Sequence, residues 1–379
     1  MDYKSNRAMK ILRKLLTSIL AVSLCSFGAA EAAARTAAAE ISWGNKAFCA
    51  MQARQEMLVD DEVLKQTAAI IDERLQVLQQ QGELPFTLKI SDDSFGEDKT
   101  ADGNIAIIPL IMDDHCFKSE HTIKGTVYYK AVVMCQIDLA FCYHPGAGER
   151  LRLLHVVPLN GYSVLGDRGE YTSPLTQERL KAEFLANTKL LVDGLKFKNK
   201  KFMQDMAYKK STIDTYQVTD VAISSAAAQK FYGSELTLVK SLLGAAFTSK
   251  FAALNPDKTV LPAMVGNDWE ADAAKQTYQL SLGDTGKYIT VERGSNEIKL
   301  DLIKLAGFDV PLKKDVGPYK KKGYVAELRN LSNDTKSVQF VERLLIADDP
   351  DAVKYDRKGI FAELFIKVAE DLSQKQGSK

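Results

Sequence analysis

From Val127 to Tyr143 every odd-numbered residue is apolar: Val127, Tyr129, Ala131, Val133, Cys135, Ile137, Leu139, Phe141 and Tyr143. The even positions mix Lys130, Gln136 and Asp138 with Val132 and Met134. A period of two is the pleat of a β-strand, whose side chains alternate between the two faces of a sheet. The stretch therefore predicts one long central strand with one face fully buried and the other partly covered. Such a strand obliges the rest of the chain to supply a layer for each side.

Candidate covers flank it. Near 60–81, Leu64, Ala68, Ile71, Leu75 and Leu78 recur at helical spacing, with Asp60 or Asp61 to cap the start and Gly82 to leave the end. Strands are expected near 86–90, 104–112, 125–143 and 151–159. A helix near 175–197 then opens at Ser173-Pro174 and faces inward with Leu180, Phe184, Leu191 and Leu195.

A comparable order follows a lysine-rich, apolar-poor stretch near 198–215. A strand over 216–223 precedes a helix near 234–254 carrying Leu236, Val239, Leu243, Phe247 and Phe251 on one stripe. Strand-like pieces lie near 259–263, 276–282, 287–293, 297–305, 323–329 and 337–346. A last helix near 356–374 presents Ile360, Leu364, Val368 and Leu372. The expected fold class is α+β: two similar two-layer domains, each a mostly antiparallel sheet flanked by an N-terminal and a C-terminal helix. The domains would span 33–200 and 216–379, with 201–215 as linker. Residue identity between the halves is weak, so duplication is inferred from pattern alone.

The first 32 residues give the expected address. Arg7, Lys10, Arg13 and Lys14 form a basic region, residues 15–27 a short apolar core, and Ala30-Glu31-Ala32 a small-x-small cleavage pattern. That core is too short to span a bilayer, and no later apolar run reaches about 18 residues. Met9 is an alternative start. Cys25 raises lipidation, which bulky Leu24 argues against. Cleavage after Ala32 would leave 347 residues with 45 basic and 47 acidic side chains. A near-neutral chain argues against nucleic acid or anionic lipid as its main partner.

Chemistry is sparse. All four histidines and three of the four cysteines beyond residue 32 fall between residues 115 and 155. If 104–112 pairs with 125–133, then Asp113, Asp114, His115, Cys116 and His121 share a hairpin tip that holds imidazole and thiolate donors. They lack the paired spacing of a metal site, and Cys142 and His144 lie a full strand away. Cys142 with His144, two apart on one strand, is the best nucleophile–base pair. Cys135 sits on the apolar face, and His155, between Leu153 and Val157, reads as a core histidine. Cys49 and Cys116 fall outside the expected strands and are the best-placed disulfide partners, with other pairings and free thiols left open. Gly283-Asp284-Thr285-Gly286-Lys287 lacks the spacing of a phosphate loop and reads as a hairpin turn.

No catalytic residue, metal ligand or cofactor is assigned. The expectation is an exported, non-catalytic envelope protein, periplasmic or at the cell surface. It would act as a binding or assembly module through sheet edges and amphipathic helices, with another envelope protein or a second copy as partner. The alternative is an exported hydrolase or metal-dependent enzyme using Cys142/His144 or the Asp113–His121 tip.

Overall fold

The computed structural model describes residues 40–44, 46–50, 58–90, 104–123, 125–144, 150–166, 169–197, 214–265, 269–272, 277–282, 288–312, 319–346 and 350–377. The expected leader, most of the linker and the 283–287 turn lie outside these residues. In chain order the elements are β1 (Glu40–Trp43), β2 (Phe48–Cys49), α1 (Asp61–Gln80), β3 (Thr87–Ile90), β4 (Asn104–Asp113), β5 (Cys116–Ile123), β6 (Thr126–His144), β7 (Leu151–Leu165) and α2 (Gln177–Asp193). They continue with β8 (Thr215–Ala222), α3 (Ala226–Tyr232), α4 (Leu236–Leu254), β9 (Thr259–Val260), β10 (Trp269–Asp272), β11 (Thr277–Ser281), β12 (Tyr288–Glu292), β13 (Asn296–Val310), β14 (Tyr319–Asn330), β15 (Thr335–Ile346) and α5 (Pro350–Gly377). The fold is α+β, with two sheets, and residues Glu40–Lys379 form one compact unit.

The predicted central strand is β6, 19 residues long. Both of its edges are occupied. One pairs antiparallel with β7 from Ala131 to Tyr143, and the other pairs first with β5 and then with β4. The first sheet runs β10-β11-β12-β7-β6-β4-β1-β3, with β2 also on β4; the second runs β15-β14-β13-β8-β9.

The faces of β6 follow its alternation. Its odd residues from Ala131 to Phe141 pack with Ile71 and Leu75 of α1 and Leu180 and Phe184 of α2. Asp60 caps α1 by accepting from the Val63 N–H at 3.0 Å, and Gly82 leaves it at a φ of +69°. Thr176, three residues later than expected, caps α2. The even residues split. Ala140 and Cys142 pack with Leu110, Val156 and Leu280, whereas Val132 and Met134 join a larger core with α4, α5 and the second sheet.

Helices α4 and α5 explain that larger core. Val239, Leu242, Leu243, Ala246, Phe247 and Phe251 are all buried on α4, and Ile360, Phe361, Leu364, Phe365 and Val368 on α5. A helix apolar over so much of its circumference must be buried on more than one side. Both contribute to a core that contains residues of each sheet. About 25 cal/mol per Å² of apolar surface removed from water drives this stacking.

The pairing departs from the sequence reading in two places. The arm opposite β6 is two strands in line, and 116–123, expected as loop, is strand β5; the turn of the hairpin falls at Gly125, whose φ is +81°. Strands β10–β12 come from beyond the expected linker yet extend the first sheet, with β12 parallel to β7 at Leu151 and Arg152. The expected 201–215 boundary therefore does not divide the sheets.

Helix α5 approaches β6 through Gly359, where an added Cβ would stand 2.8 Å from Val132 Cγ2. Because Val132 is β-branched and held in a strand, it yields poorly. Gly359→Leu is expected to destabilise the protein by about 1–3 kcal/mol in chemical denaturation, and Val132→Ala in the same chain to recover part of the loss.

Candidate functional site

The Asp113–His121 group is not a hairpin tip. It sits mid-arm, where the chain passes from β4 to β5, and its two carboxylates are taken up by neighbouring groups. Buried Asp114 accepts from the Leu58 and Val59 N–H groups at 2.7 and 3.1 Å, fixing the segment that leads into α1. Asp113 accepts from the His115 backbone N–H at 3.0 Å, and its Oδ1 lies 2.7 Å from His115 Nδ1. The Met134 N–H donates to the His115 carbonyl at 2.8 Å, tying the break to β6. His121 stands five residues along β5 from Cys116, roughly 17 Å in an extended strand, and pairs with Ser119. Among the described residues no group of three or more His, Cys, Asp or Glu side chains is arranged to hold a metal ion.

Burial disarms the other nucleophile candidates. Cys142 is fully buried in an apolar cluster, and desolvation pushes its thiol far up. Cys135 is pushed up to about 12 for the same reason, partly opposed by its hydrogen bond with Thr188. A protonated, enclosed thiol is not a nucleophile. His144 ends β6 opposite Asn104. Cys49, on β2 opposite Ile111, and Cys116, opposite Val133, both border the core beneath α1 and α2.

Two buried ionisable groups were not singled out as a pair by the sequence reading. His155 accepts at Nδ1 from the Val260 N–H at 3.2 Å, and burial pushes its pKa down to about 4. Its strand borders a hollow of about 210 Å³ that Lys196 and Lys258 flank, but the Lys258 ammonium already sits 4.6 Å over the Tyr216 ring. Asp138, between Pro158 and Leu110 on the even face, has an Oδ1 without a hydrogen-bond partner, and desolvation pushes its pKa up to about 7.

An accessible apolar feature among the described residues is the margin of the second sheet. Strand β15 spans 12 residues and pairs with β14 on one side; among the described residues no strand pairs with its other side. Ser337 and Val341 turn inward and are buried, whereas Val338 and Phe340 turn outward at 51% and 61% exposure. Phe340 stands opposite Val325, Val325 opposite Ala306, and Phe308 lies over Gly323 at 45% exposure. The outer face thus holds an apolar row that reaches the open edge. Lys336 and Glu342 bracket it on β15, in exposed ion pairs with Glu327 (3.8 Å) and Lys321. The sequence signal for this site was present: two bulky apolar residues alternating between a lysine and a glutamate on the solvent face.

Chemically the arrangement offers backbone hydrogen-bonding groups and an apolar strip, the equipment of strand addition. It belongs to a layered α+β protein in which, among the described residues, the outer edge of β15 is unpaired. No protein-family model and no curated protein matches the chain. A solved structure with partial likeness is that of a neuraminyllactose-binding hemagglutinin homolog from Helicobacter pylori, at 8% identity and a TM-score of 0.27, covering 46% of this chain and 92% of that one. A likeness at that level carries no argument.

Asp138 and His155 titrate against each other in their effect on stability. The folded chain holds the Asp138 proton up to about pH 7 while the unfolded chain releases it near pH 3.8, so Asp138 costs stability as pH rises through that window. His155, lowered from 6.5 to about 4, costs stability as pH falls through its own window. Asp138→Asn removes the first effect. Its free energy of unfolding relative to wild type should improve by about 3–4 kcal/mol between pH 4 and pH 7.5 in chemical denaturation.

Proposed function

We propose that this chain is an exported, non-catalytic protein of the cell envelope that binds or assembles with another polypeptide through its open sheet edge. The single observation carrying the proposal is β15, an edge strand of 12 residues whose exposed Val338 and Phe340 continue an apolar row. Edge strands are usually blunted by charge, proline or cover, and a long apolar one is a pairing surface. No helix among the described residues is long and apolar enough to cross a membrane. The basic, apolar and small-residue succession in residues 7–32 supports export. Because α4 and α5 bury their apolar surface in the core, the sheet edge rather than those helices carries the binding. The likeness of the halves 33–200 and 216–379 enters this proposal only as a recurring order of helix, strands and helix.

A photo-crosslinking residue at position 340 tests the reading. The exported chain should crosslink to a polypeptide from Phe340 and not from Leu190, which is 72% exposed on α2. Absence of any crosslink from position 340 in the native compartment contradicts it.

Export also bears on the thiols. All four described cysteines are free thiols in the structure, Cys49 buried and Cys116 half-buried; we propose that in an oxidising compartment these two, which border one core, are joined. Non-reducing peptide mapping of the exported protein should recover the two joined; recovery of both as thiols ends this assignment.

A further inference from the structure

The edge strand is complementary to itself in one register. Resting on the edge-binding reading above, we propose that its occupant is β15 of a second copy of this chain, added antiparallel about a two-fold axis at Gln339. Residues paired across two strands point to the same face, so only registers that match outward with outward residues are allowed. Centred on Gln339, Val338 meets Phe340 of the second copy and Phe340 meets its Val338, and each Lys336 meets a Glu342. Moving the axis to Val338 sets Lys336 against Phe340; moving it to Phe340 sets Val338 against Glu342. The Gln339 register alone among these satisfies both the charges and the apolar side chains.

The pairing extends features already in the sheet. The row Ala306–Val325–Phe340 runs to the edge, and the second copy carries it on through Val338. Lys336 and Glu342 are exposed and keep their present partners, Glu327 and Lys321, within reach. Two five-stranded sheets become one of ten strands, and the backbone groups of both edges are satisfied. Such an isologous contact closes on itself, so it stops at a dimer. An interface of this size belongs to the weak class, measured at chain concentrations on the order of 100 µM.

Sedimentation equilibrium of the purified full chain tests the proposal, with circular dichroism to confirm that each variant folds. A reversible dimer is expected. Lys336→Glu and Glu342→Lys should each weaken it about tenfold or more, because each turns both cross-strand pairs into like-charge contacts. The double swap should restore most of the affinity. That rescue belongs to the dimer alone, since within each chain the double swap sets a carboxylate at position 336 against Glu327 and an ammonium at position 342 against Lys321. A monomer at these concentrations, a dimer indifferent to the single swaps, or a double swap no better than the singles overturns the proposal. If the chain is monomeric but position 340 crosslinks to a different polypeptide, self-pairing fails and the edge-binding reading stands. If neither association nor crosslink is found, both fail.

Discussion

The structure depends on a strand with no free side. From Ala131 to Tyr143 β6 pairs with β7 on one edge and with β5 and then β4 on the other, and over that stretch both of its faces are buried by different parts of the chain. One residue step decides whether a side chain joins the core beneath α1 and α2 or one of the two on the opposite side. A slip of register by one would exchange those sets completely. The wall is one strand thick, and interiors are close-packed, so a volume change on either side is felt on the other. Gly359 of α5 shows that closeness, since an added Cβ would stand 2.8 Å from Val132 Cγ2.

The same wall explains why the chain's reactive groups are spent on structure. Asp114 holds the Leu58 and Val59 amides, Asp113 holds His115, and His155 takes the Val260 amide. Cys135 and Cys142 are enclosed among apolar neighbours. Asp138 lies where the even face passes from one core cluster to the next and keeps its proton because no partner compensates its charge. The edge proposed above as the binding surface is instead backbone at the margin of a sheet.

Much of the fold was legible because burial wrote itself into periodicity. The alternation of β6 gave its length to within a residue at each end, and the stripe on 60–81 gave α1 with its cap. Strand β5 was not legible, since its outward residues Lys118, Glu120 and Thr122, with His121 among them and His115 just before, read as a polar loop. It is strand because the outer half of β6 needs a partner, a long-range demand that no local pattern records. The joining of β10–β12 to the first sheet was hidden for the same reason. The all-round apolarity of α4 was visible as composition, but only the stacking shows that it answers to two sheets. The edge site was assigned as strand without its faces being separated, and that separation is what reveals Val338 and Phe340.

Native-state hydrogen exchange on the full chain tests the central claim most directly. If β6 is the wall shared by the cores, its amides between Ala131 and Cys142 should exchange only with global unfolding, at the same free energy as the buried turns of α4 and α5. Two separable opening events would contradict the account: β6 exposed with α1 and α2 while α4, α5 and the second sheet stay protected.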